Sequence, residues 1–239
     1  MHIPDGYLAP QTAIPLLAVM VPVWGIAVKK VQQTMKKREV PVLAVGAAFS
    51  FTIMMFNLPI PGGSSAHAVG AVLLAILLGP WAACLGVSTA LIIQALVFND
   101  GGILSIGANC LNMGVIMPFI GYYIYKLIKG SASAASGRAI AAAFIAGYLG
   151  LNFAALSTSL MFGTQYEWFK SASGTPLYFP LPLKVAVGAM MAEHLTLAGP
   201  VEALVTALGL SFVARSYPEL VGEEMPLNVN NNLGVNSHV

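Results

Sequence analysis

Residues 139–162 read AIAAAFIAGYLGLNFAALSTSLMF, 24 residues without a charged side chain. As an α-helix this stretch is about 36 Å long, enough to cross a hydrocarbon core of about 30 Å. The rest of the chain has the same character, since 57% of its 239 residues are hydrophobic and only 8% are charged. Soluble domains carry about 25% charged residues. The sequence therefore predicts an all-α integral membrane protein.

Similar apolar blocks recur along the chain, separated by Pro, Gly and basic clusters. Each block is expected to be helical, because lipid offers the backbone no hydrogen-bond partners. The predicted fold is a bundle of about seven transmembrane helices, at residues 12–28, 40–56, 68–78, 81–98, 108–127, 138–162 and 183–214. The short third span either gains a turn from residues 64–67 or stays embedded without crossing. Residues 1–221 form the predicted membrane region, and the Asn-rich residues 222–239 are expected to be a disordered tail.

Basic residues indicate the orientation, because Lys and Arg hold loops on the cytoplasmic side. The loop KKVQQTMKKRE at residues 29–39 contains five of the eleven basic residues and is placed inside. Alternation then puts the N-terminus outside and the C-terminus in the cytoplasm. The loops at 57–66, 99–107 and 163–182 share the outer face with Met1. Because no basic leader precedes MHIPDGYLAP, we expect the protein to keep Met1.

The first two residues offer a metal chelate. The Met1 amine, the amide nitrogen that follows it and the His2 imidazole reach one ion through fused five- and six-membered rings, kept coplanar by the peptide. A square of nitrogens favours Ni(II) or Cu(II). His67, in PGGSSAHAVG at 61–70, is the candidate for the fourth nitrogen, unless it only caps a helix or bonds within a loop. Pro4 and Asp5 either fold the leader back into the bundle or form an ordinary turn before a helix.

Several polar residues lie near the same predicted face: Gln94, Asn99, Asp100, Asn109 and Asn112. One of them could accept the second ring N–H of a metal-bound histidine, a contact that such histidines usually make. The alternative is that NDGG at 99–102 is a turn and that the amides bridge helices.

The last predicted span contains three ionisable residues, Glu193, His194 and Glu202. Ionisable groups are costly in lipid, so they are functional candidates. His194 is a candidate for the metal pocket. Alternatively, these residues meet a partner or hydrogen-bond internally.

Several motifs resemble the CbiM/NikM family, the cobalt and nickel substrate-binding (S) components of energy-coupling factor (ECF) transporters. They are MHIPDGYL at 1–8, GGSSAHAVG at 62–70, LLGPWAA at 77–83, IIQALVFNDGG at 92–102 and GANCLNMGVI at 107–116. The resemblance covers nearly everything before the tail. It implies a helical S component whose N-terminal loop, residues 1–11, inserts into the bundle from the outer face. It also implies capture of Ni(II), or of Co(II), by Met1, His2 and His67.

The resemblance implies partners as well: a transmembrane coupling (T) subunit, two ABC-type ATPase subunits and often a small auxiliary membrane subunit, in a prokaryotic cell membrane. ATP hydrolysis would belong to those subunits, so the chain is not expected to be an enzyme or to hold a catalytic cofactor. Nothing suggests nucleic-acid binding. The spacing of Ala44 and Ala48 resembles the small-residue motif by which S components contact the coupling subunit, although intramolecular packing also explains such spacing.

Two other functions stay open at this stage. A self-sufficient secondary permease would need ionisable residues along a continuous path, and the sequence offers few. An intramembrane metal-dependent enzyme would use Ser64, Ser65, His67 or His194, but a saturated planar metal leaves no open position for substrate. Helix capping is the simpler prediction for the two serines.

Overall fold

The computed structural model of the protein describes residues 2–60 and 64–221 and is mostly helical. Met1, residues 61–63 and the predicted tail at 222–239 lie outside the described residues. Within the described ranges there are seven helices: α1 Pro10–Thr34, α2 Val40–Met54, α3 Ala71–Leu78, α4 Pro80–Phe98, α5 Ile106–Lys129, α6 Gly137–Trp168 and α7 Leu183–Ser216. Two short antiparallel strands, β1 Leu58–Ile60 and β2 Ser64–Ala66, join α2 to α3. Single 3-10 turns occupy Lys37–Glu39 and Pro218–Val221.

Five of these helices, α1, α4, α5, α6 and α7, are long and apolar enough to cross a membrane. Each contains one of the predicted spans. The other two are shorter, because α2 has 15 residues and α3 has eight. The chain therefore has the helices of a multi-pass membrane protein, with two short helices among them.

The start of α3 differs from one sequence-based expectation. Residues 64–66 form β2 instead of adding a turn to the helix, and α3 begins only at Ala71. Gly70 has a φ of 72°, a left-handed conformation that interrupts a right-handed helix. Helix capping by Ser64 or Ser65 is wrong for the same reason, since both residues lie in β2. The segment between β2 and α3, residues 67–70, is thus irregular backbone that carries His67.

Small residues along α6 allow close packing against α5. Ala142 and Ala146 are buried, and a Cβ on Gly150 would lie 2.9 Å from the Met117 carbonyl oxygen. Intramolecular packing therefore explains this stripe. Ala44 and Ala48 are different, because both are exposed on α2.

Three helices widen locally into π-helical turns, at Gln94–Phe98 in α4, Cys110–Ile116 in α5 and His194–Ala198 in α7. Such turns redirect side chains and are common at functional sites. Each one begins at or contains a polar residue that the sequence marks as a candidate: Gln94, Asn112 and His194.

Candidate metal centre

The backbone of the N-terminal segment, residues 2–9, is hydrogen-bonded to the start of α5 and to the loop before it. The Ile3 N–H donates to Asn109 Oδ1 at 2.9 Å, and Asn109 Nδ2 donates to the Ile3 carbonyl at 3.2 Å. The Gly102 N–H donates to the same carbonyl at 2.8 Å. The Ile3 side chain is fully buried. The N–H and the C=O of Ile3, the residue after His2, are therefore both held by hydrogen bonds.

Two further side chains hold the rest of the segment. The Asp5 carboxylate accepts hydrogen bonds from the N–H groups of Ile103 and Leu104, both at 3.0 Å. Gln165 on α6 accepts from the Ala9 N–H at 2.9 Å. Gln165 is not among the candidates predicted from the sequence. An amide near the end of a long apolar helix could have indicated a hydrogen bond to a neighbouring segment.

His67 lies in the irregular segment before α3 and is buried. Its Nδ1 lies 3.1 Å from the carbonyl oxygen of Ala68. Because a carbonyl only accepts, Nδ1 carries the hydrogen and Nε2 keeps its lone pair. The His2 ring stacks beside it, with ring centroids 4.7 Å apart and an interplanar angle of 28°. The structure therefore brings the two predicted histidines together.

The free nitrogens of these two rings are unusual for buried groups. Within the part of the chain that the structure describes, neither His2 Nε2 nor His67 Nε2 has a hydrogen-bond partner, and both atoms are buried. Leaving a buried polar atom unsatisfied costs about 1–3 kcal/mol. Burial lowers the pKa of His2 to about 3 and the pKa of His67 well below 6.5. Both rings are therefore neutral near pH 7, which is the form that binds metals.

A cavity of about 280 Å³ opens beside the two histidines. Its walls are formed by three residues of the N-terminal segment and by residues in or near the ends of several helices. They comprise His2, Pro4, Tyr7, Asn57, Ser65, His67, Asp100, Phe162, Met190, Glu193 and His194. Tyr7 and Phe162 pack edge to face, with centroids 5.6 Å apart. The cavity thus combines an aromatic wall with carboxylates and imidazoles.

Three of the predicted supporting residues are near the histidines. Asp100 Oδ1 lies 3.4 Å from His2 Nδ1, and burial raises the pKa of Asp100. Gln94 is buried and close enough to the His2 ring to raise its pKa. His194 lines the cavity, with Nδ1 2.9 Å from the Met190 carbonyl.

The remaining amides do other work. Asn109 holds the Ile3 backbone, as described above. Asn112 Nδ2 donates to Thr158 Oγ1 at 2.9 Å, which bridges α5 and α6. Asn99 is exposed and adopts a left-handed φ of 55° in the turn after α4. Asn99 therefore belongs to a turn, and Asn112 bridges two helices, as the alternative to a metal-supporting role predicted.

The donor set limits what the site can hold. Among residues 2–60 and 64–221, no three His, Cys, Asp or Glu side chains converge as metal ligands. Of the three ligands expected from the sequence, the structure brings His2 and His67 together. Met1, the third, lies outside the described residues.

Comparison with known proteins gives consistent relatives. Residues 2–220 match the family model CbiM, described as the cobalt uptake substrate-specific transmembrane region. A fused nickel transport protein NikMN of Rhodobacter capsulatus is 50% identical over 92% of this chain and 64% of its own length. A putative metal transport protein of Methanocaldococcus jannaschii is 45% identical over 92% of this chain and 94% of its own length. A crystal structure of a truncated transition metal transporter has a TM-score of 0.83 and 53% identity, covering 90% of this chain and 99% of that one.

The fused relatives are longer than this chain. The chain spans 64% of the Rhodobacter capsulatus protein and 66% of a probable fused nickel transport protein of Lactiplantibacillus plantarum, to which it is also 50% identical.

Proposed function

Because the chain belongs to the CbiM family of substrate-specific transmembrane proteins for cobalt uptake, we propose that it is the S component of an ECF-type transporter. Its cargo in this proposal is Ni(II), with Co(II) as the alternative ion. The ion enters from the outer face and is held in a square-planar set of four nitrogens.

The pair formed by His2 and His67 carries this proposal. Their rings are stacked at 4.7 Å, and each has a buried Nε2 without a partner in the described residues. Met1 and His2 would supply the amine, one amide nitrogen and one imidazole nitrogen, and His67 Nε2 would supply the fourth corner. Both imidazoles are already neutral, so neither has to lose a proton on binding, whereas the Met1 ammonium group and the amide between Met1 and His2 each release one.

The His2 ring must turn for this chelate to close. A six-membered ring that includes the His2 amide uses Nδ1, which in the metal-free structure lies 3.4 Å from Asp100 Oδ1. Rotation by about half a turn about Cβ–Cγ exchanges the two edges of the imidazole and brings Nε2 to the Asp100 side. Asp100 then accepts the Nε2–H, the kind of contact that fixes most metal-bound histidines.

Nickel is the preferred cargo on two grounds. Four nitrogens in a plane suit Ni(II) better than Co(II), although Cu(II) binds such a set at least as tightly. Two relatives at 50% identity are named as nickel transport proteins. Selection against copper then depends on the ions available to the cell and on the shape of the cavity.

The N-terminal segment contacts residues in or next to all three loops that are predicted to lie on the outer face. His2 stacks on His67, Ile3 is bound by Gly102, and Ala9 is bound by Gln165. We infer that this end of the bundle faces outward and that the segment enters the bundle from there. The C-terminus then lies in the cytoplasm.

Energy for uptake comes, in this proposal, from partner subunits: a coupling subunit, two ATPases and often a small auxiliary membrane protein. The exposed positions of Ala44 and Ala48 on α2 leave them free to contact the coupling subunit. Uptake into proteoliposomes tests this part. Transport by this chain alone would favour a secondary permease, whereas transport only with the coupling and ATPase subunits supports the S-component assignment.

The metal site is tested on the purified protein by metal content and absorption spectrum. We expect one nickel per chain, with the yellow diamagnetic spectrum of planar Ni(II). His67→Ala should remove the fourth nitrogen and shift the spectrum, and acetylation of the Met1 amine should abolish tight binding, because an acetylated nitrogen no longer binds the ion. The matched control is protein acetylated with nickel bound, in which the lysines are modified while the amine is protected. Equal nickel affinity in the proteins acetylated before and after nickel binding would refute the chelate.

A further inference from the structure

Glu202 is a fully buried carboxylate within α7 that contacts the backbone in front of α3. Its Oε2 accepts the Val69 N–H at 2.6 Å and the Gly70 N–H at 3.1 Å. Its Oε1 lies 3.1 Å from the Gly70 N–H and 3.4 Å from the Thr206 hydroxyl. The side chain has no exposed surface. Glu202 thus joins α7 to the irregular segment that carries His67.

The segment needs such an acceptor because its own geometry supplies none. Residues 67–70 are not helical, and the first N–H groups before and within a helix lack partners in that helix. Inside an apolar bundle an unpaired N–H is costly. Glu202 therefore acts as an N-terminal cap for α3 that comes from a different helix. A carboxylate suits the place, since every contact described for this side chain uses it as an acceptor.

A second side chain holds the same residues from the opposite direction. The Ser50 hydroxyl on α2 donates to the Val69 carbonyl at 2.7 Å, and Ser50 is also fully buried. Residue Val69 is therefore bonded at both its N–H and its C=O. His67 stands two residues earlier, and its Nδ1 is bonded to the intervening carbonyl of Ala68. Rotation or shift of this backbone would move the His67 ring relative to His2.

We propose that Glu202 is a positioning residue for the fourth metal ligand: its carboxylate fixes residues 67–70 so that His67 Nε2 faces the N-terminal chelate. This inference rests on the proposed function, because it needs His67 to bind the ion. Glu202 itself does not touch the metal. It acts on the ion through the backbone, because it holds the N–H groups of Val69 and Gly70 and so fixes the position of His67.

The substitution Glu202→Gln isolates this role with almost no change in volume. The amide offers one acceptor oxygen in place of two, and its NH2 group faces N–H donors that it cannot accept from. The Val69–Gly70 backbone loses part of its anchor while the apolar packing of α7 is kept. Loss of contacts that orient a metal ligand typically lowers affinity by about 10- to 100-fold. We expect a loss of nickel affinity in that range.

The experiment measures nickel affinity by competition with a chromophoric chelator, on full-length protein in detergent, at a temperature well below the melting point of each variant. The absorption spectrum at saturating nickel is recorded as well. Glu202→Gln should bind more weakly and show a shifted ligand-field band, because His67 is no longer held in the plane. Ser88→Ala is the control, since this buried hydroxyl accepts from the Trp24 indole at 3.0 Å and does not line the cavity beside the histidines. It should leave both affinity and spectrum unchanged.

Ser50→Ala keeps the proposal testable if Glu202→Gln does not fold. It removes one neutral hydrogen bond from the same peptide, and we expect a smaller loss of roughly 2- to 10-fold. Wild-type affinity and spectrum in Ser50→Ala, together with the same result in any folded Glu202→Gln protein, would overturn the positioning role. His67→Ala separates this outcome from failure of the proposed function. If that variant also binds nickel normally, His67 is not a ligand at all.

Discussion

Asn109→Ala tests whether docking of the N-terminal segment determines metal affinity. Asn109 bonds both polar groups of the Ile3 peptide, at 2.9 Å and 3.2 Å. The Ile3 carbonyl keeps the Gly102 N–H at 2.8 Å after the substitution, but the Ile3 N–H loses its acceptor. An unsatisfied buried N–H costs about 1–3 kcal/mol. If Met1, His2 and His67 hold the ion as proposed, binding requires the docked segment, so nickel affinity should fall by roughly 5- to 150-fold.

The assay is a nickel titration by competition with a chelator at pH 7.5, next to thermal unfolding of the metal-free protein. Asn112→Ala is the matched control: a buried amide one turn further along α5, bonded to Thr158 and not to the N-terminal segment. It should lower stability without changing affinity by more than about twofold. Equal affinities in wild type and Asn109→Ala would refute the reasoning, as would equal losses in the two amide variants.

Three other outcomes follow from the same geometry. Gly102→Ala should displace the N-terminal segment, because the new methyl group would collide with Asp5. Nickel binding should weaken at least tenfold, as is typical when contacts that support a metal ligand are lost. The control is Gly188→Ala, whose Cβ would have nothing within 4 Å, and its nickel titration should match that of wild type. Gln165→Leu should lower the unfolding free energy by about 1–3 kcal/mol, because the Ala9 N–H loses its acceptor. It should keep nickel affinity, since Ala9 stands seven residues after His2 in the chain and Asn109 still holds Ile3; a parallel loss of affinity would contradict this. Metal-free protein should become less stable as the pH is lowered from about 6.5. The pKa of His2 is about 3 in the folded protein and about 6.5 in the unfolded chain. Between these two values the unfolded chain binds a proton at His2 that the folded protein does not bind, so acid favours unfolding. Each such histidine contributes a slope of about 1.4 kcal/mol per pH unit, and unfolding of His67→Ala between pH 7 and pH 5 should show a smaller slope than wild type.

The helices were largely predictable because each apolar block is bounded by residues that stop a helix or attract water. Each predicted span corresponds to one observed helix, and five of the helices are long enough to cross a membrane. The exception was the start of α3. Apolar composition continues through Ala68 and Val69, so no change of pattern marks the end of the irregular segment. The boundary between this segment and α3 is the left-handed conformation of Gly70. A glycine in the sequence does not by itself show which φ it adopts.

The histidine pair was predictable from topology and chelate chemistry, since alternating spans bring residues 2 and 67 to the same end. The roles of the amides were not. Asn109 and Asn112 are three residues apart on one helix, yet one bonds the N-terminal backbone and the other bonds Thr158. A π-helical turn from Cys110 to Ile116 begins directly after Asn109 and contains Asn112, and such a turn changes the direction in which the second amide points. A sequence pattern with a regular period of 3.6 residues cannot carry that information.

The buried polar residues of this bundle share one physical task. Two stretches of irregular backbone, the N-terminal segment and the segment that carries His67, contain buried residues such as Ile3, Ala9 and Val69, and a buried N–H needs a partner in the protein. Asn109 and Gln165 satisfy the first stretch, and Glu202 and Ser50 satisfy the second. A regular helix could not present a terminal amine, a backbone amide and an imidazole to one ion, because its own hydrogen bonds occupy the amides. In the proposed function, polar side chains in the surrounding helices would therefore allow a chelate built partly from backbone to form at this end of the bundle.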